Sequence, residues 1–274
     1  MVLGISPKNR RREKDLKIAD VKTIGVMGLG VMGGGISQTA IVSGFNVVAR
    51  DLNDQILARA RENIISGRFG LKGGVERGKI TKEQMDAAVA RLKTTTKAED
   101  LANVDILIEA IGGGPSGEME NKDLKIRVFG DMDKIVKKEA IFASNSSRFT
   151  IADLAAPTKR KPQFIGMHWF SPANIMRVVE VTWTKDTNEE TIQCIEALCD
   201  KFGKTHVRVK DVPGDTGFVG NRIFGIAGRE ARKIVEEGIC SPEGVDTIMM
   251  GGFNWPAGPI GMGMGARAGW GQKK

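Results

Sequence analysis

Apolar runs alternate with amphipathic stretches along most of this 274-residue chain. Short apolar runs rich in β-branched residues predict buried strands, and stretches with apolar positions three and four apart predict helices. The runs that predict strands are 21–27, 45–49, 104–110, 140–144, 164–167, 177–183 and 205–209. Such alternation is typical of an α/β fold of the Rossmann type, with a doubly wound and mainly parallel sheet.

The predicted helices separate these strands. They cover 36–42, 53–65, 81–93, 122–138, 151–155 and 189–202, with further helices from about Phe218 onward. Thr81 followed by Gln84 predicts a capping box at the start of the third helix. The second and third helices, joined by a glycine-rich segment, are expected to form a helical hairpin that projects from the sheet. We expect an NAD-binding domain over 21–210 and a small all-α domain over 211–274.

The first predicted strand leads directly into the sequence GLGVMGGG at residues 28–35. A G-x-G-x-x-G motif between a strand and a helix is the turn that binds the pyrophosphate of a dinucleotide. Gly28 permits the tight turn, Gly30 lets the backbone approach the pyrophosphate, and Gly33 lets the helix pack closely on the strand. The residues expected to contact the dinucleotide at this turn are Gly28, Gly30, Val31, Met32 and Gly33.

An acidic residue, Asp51, follows the second predicted strand, 18 residues after Gly33. An Asp at this position accepts hydrogen bonds from the adenosine ribose hydroxyls and favours NAD over NADP. Arg50 argues the other way, because an Arg here can accommodate the 2′-phosphate of NADP. The order of strand, turn, helix, strand and acid predicts an NAD site. The simpler alternative is a glycine-rich turn with a surface Asp.

Composition and charge limit the other classes of function. The hydrophobic content of 41% supports a sizeable core, and no apolar run approaches the ~18 residues of a membrane span. The three cysteines form no C-x-x-C pair, so we expect neither a disulfide framework nor a metal site, and we expect a reducing cytoplasmic setting.

The positive charge is concentrated near the start of the chain. Residues 1–22 carry seven basic and three acidic side chains, which gives +4 of the net charge of +8. The tail 1–20 is expected to be disordered, and no motif supports nucleic-acid binding by it.

The chain has two histidines, which are the candidates for acid–base chemistry. His168 comes just past an apolar strand, where open α/β sheets place their ligand crevice, and Glu180 lies 12 residues later within Val-Val-Glu-Val. A Glu in such a run needs a buried partner, and a His held by a carboxylate is a good general acid or base. Alternatively, His168 is a strand-end histidine with a structural role. His206 has no acid placed for it and is expected to be a surface or structural residue.

Together these residues resemble the L-3-hydroxyacyl-CoA dehydrogenase family, including its 3-hydroxybutyryl-CoA branch. The resemblance covers about 21–259, and its most specific segments are 28–35, 166–180 and 217–222. It implies that His168 and Glu180 abstract the hydroxyl proton of a (S)-3-hydroxyacyl-CoA while hydride leaves C3 for NAD⁺, which gives 3-ketoacyl-CoA reversibly. It also implies a homodimer that acts in fatty-acid β-oxidation or hydroxybutyryl-CoA metabolism.

The resemblance implies roles for further residues. Ser147 is expected to hydrogen-bond the substrate oxygen, and Asn221 is expected to help hold the substrate carbonyl near the histidine. The residues implied near the nicotinamide, its ribose and the phosphates are Glu120, Lys125 and Asn145. Arg68 and Lys72 correspond to the acyl-CoA-binding arm of the family, although basic residues on a solvated face often have no such role.

The chain departs from the family pattern in three places. Residues 112–117 are longer than the usual turn, Arg148 replaces a Ser, and the segment after Pro259 has glycine at alternate positions. Because that glycine pattern is incompatible with a stable helix, we expect a shortened second domain of roughly 60 residues, which is marginal on its own. Two alternatives stay open, a sugar-acid (gulonate) dehydrogenase of the same fold and a non-catalytic NAD- or acyl-CoA-binding homologue.

Overall fold

The structure, a computed structural model, describes residues 16–112, 120–212 and 218–262. The chain divides into two compact units, each of which is described by itself. The first unit comprises residues up to 146 together with 150–213, and the second comprises 147–149 together with the chain from 214 onward.

The first unit is built on one eight-stranded sheet. Its strands are β1 (Thr23–Met27), β2 (Asn46–Arg50), β3 (Leu92–Thr95), β4 (Ile106–Glu109), β5 (Ile141–Ser144), β6 (Phe164–Trp169), β7 (Val178–Trp183) and β8 (Thr205–Lys210). They lie in the order β3-β2-β1-β4-β5-β6-β7-β8, and all neighbours are parallel except β6 and β7. The predicted α/β fold with a mainly parallel sheet is confirmed.

Helices flank this sheet. They are α1 (Val31–Val42), α2 (Asp54–Ser66), α3 (Leu71–Glu76), α4 (Lys82–Ala90), α5 (Lys122–Ile135), α6 (Ile151–Ala155) and α7 (Glu189–Lys201). The predicted capping box begins α4. The Thr81 hydroxyl accepts a hydrogen bond from the Gln84 N–H, and the Gln84 side chain accepts one from the Thr81 N–H.

The connection from β2 to β3 differs from the predicted hairpin. The glycine-rich segment 67–78 contains α3, and the following helix ends at Ala90 rather than near Lys93. Residues 92–95 instead pair with β2 as the edge strand β3. Ala88 of α4 is buried, and α4 contacts α1, so this helix lies against the body of the unit and does not project from it.

The beginning of the described chain is ordered, contrary to expectation. Ile18–Asp20 form a 3-10 turn that contacts α7, and the side chains of Leu16 and Ile18 pack against the hydrophobic core. The prediction of disorder is therefore wrong for residues 16–20, because two apolar side chains anchor them. Residues 1–15 lie outside the described residues.

The described part of the second unit contains α8 (Val219–Glu236) and α9 (Pro242–Phe253), which contact each other. Residues 259–262 form a helical turn, and the N–H groups of Ile260 and Gly261 donate hydrogen bonds to the Asp246 carboxylate. The expectation that the glycine pattern excludes a helix is thus wrong for residues 260–262, while 263–274 lie outside the described residues. None of the described helices is both long and apolar enough to cross a membrane.

Candidate active site

The turn between β1 and α1 contains two glycines that the fold requires and one that it does not. Gly28 has a φ of +85°, and a Cβ there would lie 2.8 Å from the Ala110 carbonyl oxygen. A Cβ at Gly33 would lie 1.7 Å from the Gly28 carbonyl oxygen. At Gly30 no described atom lies within 4 Å of the Cβ position. Packing against the described chain therefore does not require glycine there. Open backbone at this point is what close approach of a pyrophosphate needs.

Asp51 lies at the carboxyl end of β2, next to this turn. Its Oδ2 accepts a hydrogen bond of 2.6 Å from the Leu29 N–H, and its Oδ1 accepts one of 2.6 Å from the Leu52 N–H. A carboxylate has about four acceptor positions, so capacity remains for ribose hydroxyls. Arg50 donates to the Thr96 carbonyl oxygen at 3.3 Å. The turn, the exposed Val31 at the start of α1 and this carboxylate together fit an adenine dinucleotide.

His168 and Glu180 lie directly opposite each other on the antiparallel strands β6 and β7. His168 Nδ1 lies 2.6 Å from Glu180 Oε2, and both side chains are about 5% exposed. Directly opposite residues share one face of a sheet, so strand pairing itself brings the two groups together. His168 lies within β6 and not just past it, because the buried strand continues to Trp169. Below, we call this pair the dyad.

The contact between His168 and Glu180 determines which imidazole nitrogen can act as an acid or base. A carboxylate at Nδ1 holds that nitrogen as the N–H tautomer and stabilises the imidazolium. Nε2 is therefore the nitrogen that can exchange a proton with a ligand. The Phe170 ring centroid lies 4.9 Å from that of His168, so an aromatic ring neighbours the buried imidazole.

Asn145 joins the end of β5 to the strand that carries the histidine. Its Oδ1 accepts a hydrogen bond of 2.9 Å from the Trp169 N–H, and its own N–H donates to the Glu109 carbonyl oxygen at 2.8 Å. This predicted cofactor residue therefore lies at the carboxyl ends of the central strands, one residue in sequence from Ser144 and beside the histidine strand.

A buried carboxylate that sequence reasoning missed ends β4. Glu109 is fully buried and accepts hydrogen bonds from Lys125 Nζ (2.6 Å), Ser144 Oγ (2.7 Å) and the Ile111 N–H (2.6 Å). The signal that identified Glu180, an acid inside an apolar strand, is also present in Ile-Leu-Ile-Glu and could have found Glu109.

Lys125 lies between two carboxylates. Its ammonium group bonds Glu109 and lies 3.5 Å from Glu120 Oε2, and the side chain is 2% exposed. Ser146 Oγ also donates to Glu120, at 2.9 Å. Moving the ammonium to a phosphate would leave Glu109 buried without its cation, which is strongly unfavourable. This geometry favours Lys125 as a support behind Glu120 rather than as a phosphate ligand.

The other two predicted catalytic residues belong to the second unit. Ser147 lies in the segment 147–149, and Asn221 is an exposed residue in the first turn of α8. The predicted acyl-CoA residues belong to the first unit, where Arg68 precedes α3 and Lys72 lies in its first turn, both exposed. The roles of these four residues stay predictions.

The prediction that His206 has no acid near it is wrong. His206 Nδ1 lies 3.5 Å from Glu196 Oε1, and its Nε2 lies 3.5 Å from Asp200 Oδ1, both on α7. The two acids are four residues apart on one helix face, which packs beside β8, and sequence spacing alone does not show that contact. Its side chain is 29% exposed, in agreement with the predicted surface role.

Comparison with protein families identifies the family of this chain. Residues 23–212 match the NAD-binding domain of 3-hydroxyacyl-CoA dehydrogenase, and residues 217–272 match the C-terminal domain of the same family. The chain belongs to the 3-hydroxyacyl-CoA dehydrogenase family. It is thus an NAD-dependent oxidoreductase of this family, as predicted. The C-terminal match continues to residue 272, so the expectation that the chain leaves the family pattern after Pro259 is wrong.

Individual relatives agree with this assignment. A probable 3-hydroxybutyryl-CoA dehydrogenase from Deinococcus radiodurans is 39% identical over 226 residues, 82% of this chain and 76% of the relative. The mitochondrial hydroxyacyl-coenzyme A dehydrogenase of Rattus norvegicus is 35% identical over 229 residues, 82% and 70% of the two chains. The crystal structure of (S)-3-hydroxybutyryl-CoA dehydrogenase from Ralstonia eutropha superimposes with a TM-score of 0.81 at 38% identity, covering 88% of this chain and 81% of that one.

Proposed function

We propose that this dehydrogenase interconverts a (S)-3-hydroxyacyl-CoA and the corresponding 3-ketoacyl-CoA, with the dyad as its acid–base group. The observation that carries this proposal is the 2.6 Å contact between His168 Nδ1 and Glu180 Oε2 in a buried strand pair. A buried imidazole with one nitrogen fixed by a carboxylate is arranged to take and return a proton at the other nitrogen.

In the oxidising direction, His168 Nε2 takes the proton of the 3-hydroxyl group, and Glu180 stabilises the imidazolium that forms. NAD, when bound, accepts the hydride from C3 of the substrate. In the reducing direction, His168 Nε2 returns its proton to the oxygen at C3. Ser147 and Asn221 hold this oxygen and the neighbouring carbonyl, and the resemblance to the family supports both assignments.

The cofactor residues divide into two groups. For the adenine end, we propose the glycine turn at 28–33 and the Asp51 carboxylate. For the nicotinamide end, we propose Glu120 and Asn145, with Lys125 acting through its contact with Glu120. The exposed Arg68 and Lys72 are proposed to bind the CoA phosphates through their positive charges. We further propose a cytoplasmic homodimer that acts in fatty-acid β-oxidation or hydroxybutyryl-CoA metabolism.

The experiment is NADH oxidation with acetoacetyl-CoA, for the wild type and three variants. His168→Gln is expected to lower kcat by about 10²-fold or more, because it removes the group that exchanges the proton in the proposed mechanism. Glu180→Gln is expected to lower kcat by about 10²-fold with little change in KM, since it removes the negative charge that stabilises the imidazolium and leaves the substrate-binding residues in place. His206→Gln replaces the other histidine of the chain and is expected to keep wild-type activity.

Two results would overturn the proposal. If the wild type binds NADH but reduces neither acetoacetyl-CoA nor longer 3-ketoacyl-CoA thioesters, the chain is a binding homologue. If it oxidises gulonate with NAD⁺ and is inactive with thioesters, the same dyad serves a sugar-acid dehydrogenase.

A further inference from the structure

Lys204 is a buried lysine of the first unit that the proposed mechanism does not use. It immediately precedes β8 and is 7% exposed. Its ammonium group donates hydrogen bonds to two backbone carbonyl oxygens, those of Ala173 (2.8 Å) and Met176 (2.6 Å). The ammonium also lies 5.6 Å from the centroid of the Trp169 ring. Burial lowers the pKa of Lys204 from its ordinary value.

The other buried cations of the described chain are held differently. Lys125 bonds the carboxylate of Glu109 at 2.6 Å, and Arg160 bonds that of Asp133 at 2.6 Å. For Lys204, neutral carbonyl oxygens receive the hydrogen bonds. Burial of an ammonium group is unfavourable, and carbonyl dipoles offset it less well than a carboxylate does. An apolar side chain here would leave those two carbonyl oxygens without this donor, so Lys204 does more than fill space.

The two carbonyls belong to residues 170–177, the connection that joins the two strands of the dyad. This connection begins two residues after His168 and ends three residues before Glu180. It closes the end of the β6–β7 ladder, one residue pair beyond the dyad. Asn174 in its middle donates to the Phe69 carbonyl oxygen at 2.9 Å, and Ala173 packs against α1, where a Cβ on Gly35 would lie 3.1 Å away.

Lys204 therefore holds the connection at two points from the β8 side, while Asn174 holds it from the α2–α3 side. The N–H of Thr205 adds a third bond on the β8 side, to the Arg177 carbonyl oxygen at 2.7 Å. Because β8 pairs with β7 throughout its length, the Lys204 ammonium ties the connection to the same strand pair that carries Glu180.

We propose that Lys204 is a positioning residue of this enzyme, whose ammonium group fixes the connection 170–177 and thereby keeps His168 Nδ1 within hydrogen-bond distance of Glu180. The link to activity rests on the proposed function of the dyad, whereas the link to the dyad hydrogen bond does not. A displacement of about 1 Å at such a pair lowers the rate by up to about 10²-fold.

The test observes the dyad directly. The protein has two histidines, so ¹⁵N-histidine labelling gives two imidazoles, and His206→Gln assigns the N–H signal of His168. Lys204→Met keeps an unbranched side chain of nearly the same length and removes its charge and donors. We expect exchange of the His168 Nδ1–H with water to accelerate about tenfold or more, because the hydrogen bond to Glu180 is formed less of the time. Lys201→Met, at an exposed lysine three residues earlier, is the matched control and is expected to leave the exchange unchanged.

Kinetics and stability complete the test. In Lys204→Met we expect kcat for acetoacetyl-CoA to fall about tenfold with KM nearly unchanged, because the substrate-binding residues are untouched. A variant with a lower melting temperature but wild-type imidazole exchange and kcat would show a purely structural role and overturn the proposal. If wild-type protein turns over no thioester, the proposed function fails, and the exchange rate still decides the role of Lys204.

A second variant covers the case in which Lys204→Met does not fold. Lys204→Gln keeps an amide donor that can serve one of the two carbonyl oxygens. Exchange of the His168 Nδ1–H that is faster than in the wild type supports the proposal, and unchanged exchange overturns it.

Discussion

At the scale of single residues, the glycine turn shows two different reasons for a glycine. At Gly28 and Gly33 a Cβ would meet backbone oxygen atoms of the chain, at 2.8 and 1.7 Å, so the fold itself requires glycine. At Gly30 and Gly34 no described atom lies within 4 Å of the Cβ position. Gly34 is the fourth residue of α1, whereas Gly30 caps the helix where a pyrophosphate would approach. Folding therefore requires glycine at neither residue 30 nor residue 34. A need for glycine at residue 30 alone would come from the ligand.

Gly30→Ala is expected to leave the melting temperature within about 2 °C of the wild type and to weaken NADH binding about tenfold or more, which corresponds to about 1.4 kcal/mol. In the proposed site the added methyl group would occupy the space of the pyrophosphate, and it would touch no described atom of the chain. NADH titration followed by fluorescence, with thermal unfolding in parallel, checks both parts. Gly34→Ala is the matched control, with unchanged affinity. Wild-type affinity in Gly30→Ala would show that the dinucleotide does not approach this turn.

Glu109→Gln is expected to destabilise the protein by about 3 kcal/mol, because it leaves the Lys125 ammonium in the interior without its nearest carboxylate. The double variant Glu109→Gln with Lys125→Met is expected to be more stable than Glu109→Gln alone, since the charge is then removed together with its partner. Urea unfolding of the two single variants and the double variant measures this coupling. If Lys125→Met weakens NADH binding without loss of stability, Lys125 is a phosphate ligand and the supporting role is wrong.

The residues of the site could be predicted to unequal extents. His168 and Glu180 were found because a titratable side chain in an apolar run needs a partner, and the structure brings the two to 2.6 Å. Glu109 is also a titratable side chain in an apolar run. Its partners Lys125 and Ser144 lie on other elements, and the local sequence pattern does not show how those elements pack. Lys204 gives no sequence signal, since a lysine before a strand is ordinarily solvated.

At the scale of elements, hydrophobic periodicity located most strands and helices, and it failed where elements are short. β3 has four residues, of which Leu92 and Thr95 are buried, too few to be told from the end of a helix. The same shortness hid α3 within a glycine-rich segment. The 3-10 turn at residues 18–20 was missed because its order depends on contact with α7, which is more than 150 residues away in the sequence. The local pattern of apolar and polar residues contains no information on contacts between segments so far apart in the sequence.

The amino ends of β1 and β4 are joined by Asp105, whose Oδ2 accepts hydrogen bonds from the N–H groups of Lys22 (2.7 Å) and Thr23 (2.8 Å). Lys137 bonds its other oxygen. Burial raises the pKa of this carboxyl, but these hydrogen bonds and the Lys137 charge outweigh it, so the pKa of Asp105 is lowered overall. A lowered pKa in the folded state means that the carboxylate stabilises the fold above its unfolded pKa of about 3.9, and that this contribution is lost as the pH falls through the folded pKa.

Asp105→Asn is therefore expected to lower the free energy of unfolding by about 1–3 kcal/mol at pH 7, and by progressively less below about pH 4. Urea unfolding of the wild type and the variant across pH 3 to 7 gives the difference directly. Asp131→Asn is the control, because Asp131 pairs with Lys134 on the exposed side of α5, where both side chains are more than two-thirds exposed. A difference that is constant with pH in Asp105→Asn would mean that the charge of the carboxylate is not what stabilises the strand ends.

At the scale of the whole molecule, we propose that the two units are the two domains of the enzyme. The sequence placed the boundary near residue 210, whereas the segment 147–149 groups with the second unit. In the described part of that unit the buried apolar side chains are Phe218, Ala231, Val245 and Pro259, apart from Phe149 of the segment. Small units bury little apolar area, so specific polar contacts are expected to decide whether this unit stays folded.

One such contact joins α9 to the helical turn at residues 259–262. The Asp246 carboxylate accepts hydrogen bonds from the Ile260 N–H (2.9 Å) and the Gly261 N–H (2.8 Å). A carboxylate at the first amides of a turn satisfies donors that have no partner within the turn. Gly258 makes this approach possible, because a Cβ there would lie 2.1 Å from the Asp246 Cγ.

Gly258→Ala is expected to push Asp246 off these amides and to destabilise the second unit by about 1–3 kcal/mol, by overlap and by loss of the two hydrogen bonds. Hydrogen exchange followed by mass spectrometry should show faster exchange in peptides from 219–262 and unchanged exchange in peptides from 23–110. Gly251→Ala lies within α9 with no described atom within 4 Å of the Cβ position, so it should slow exchange in α9 through higher helix propensity. If Gly258→Ala exchanged as slowly as the wild type, Asp246 would not be what holds the turn, and the stability of this unit would have to come from its few buried apolar side chains alone.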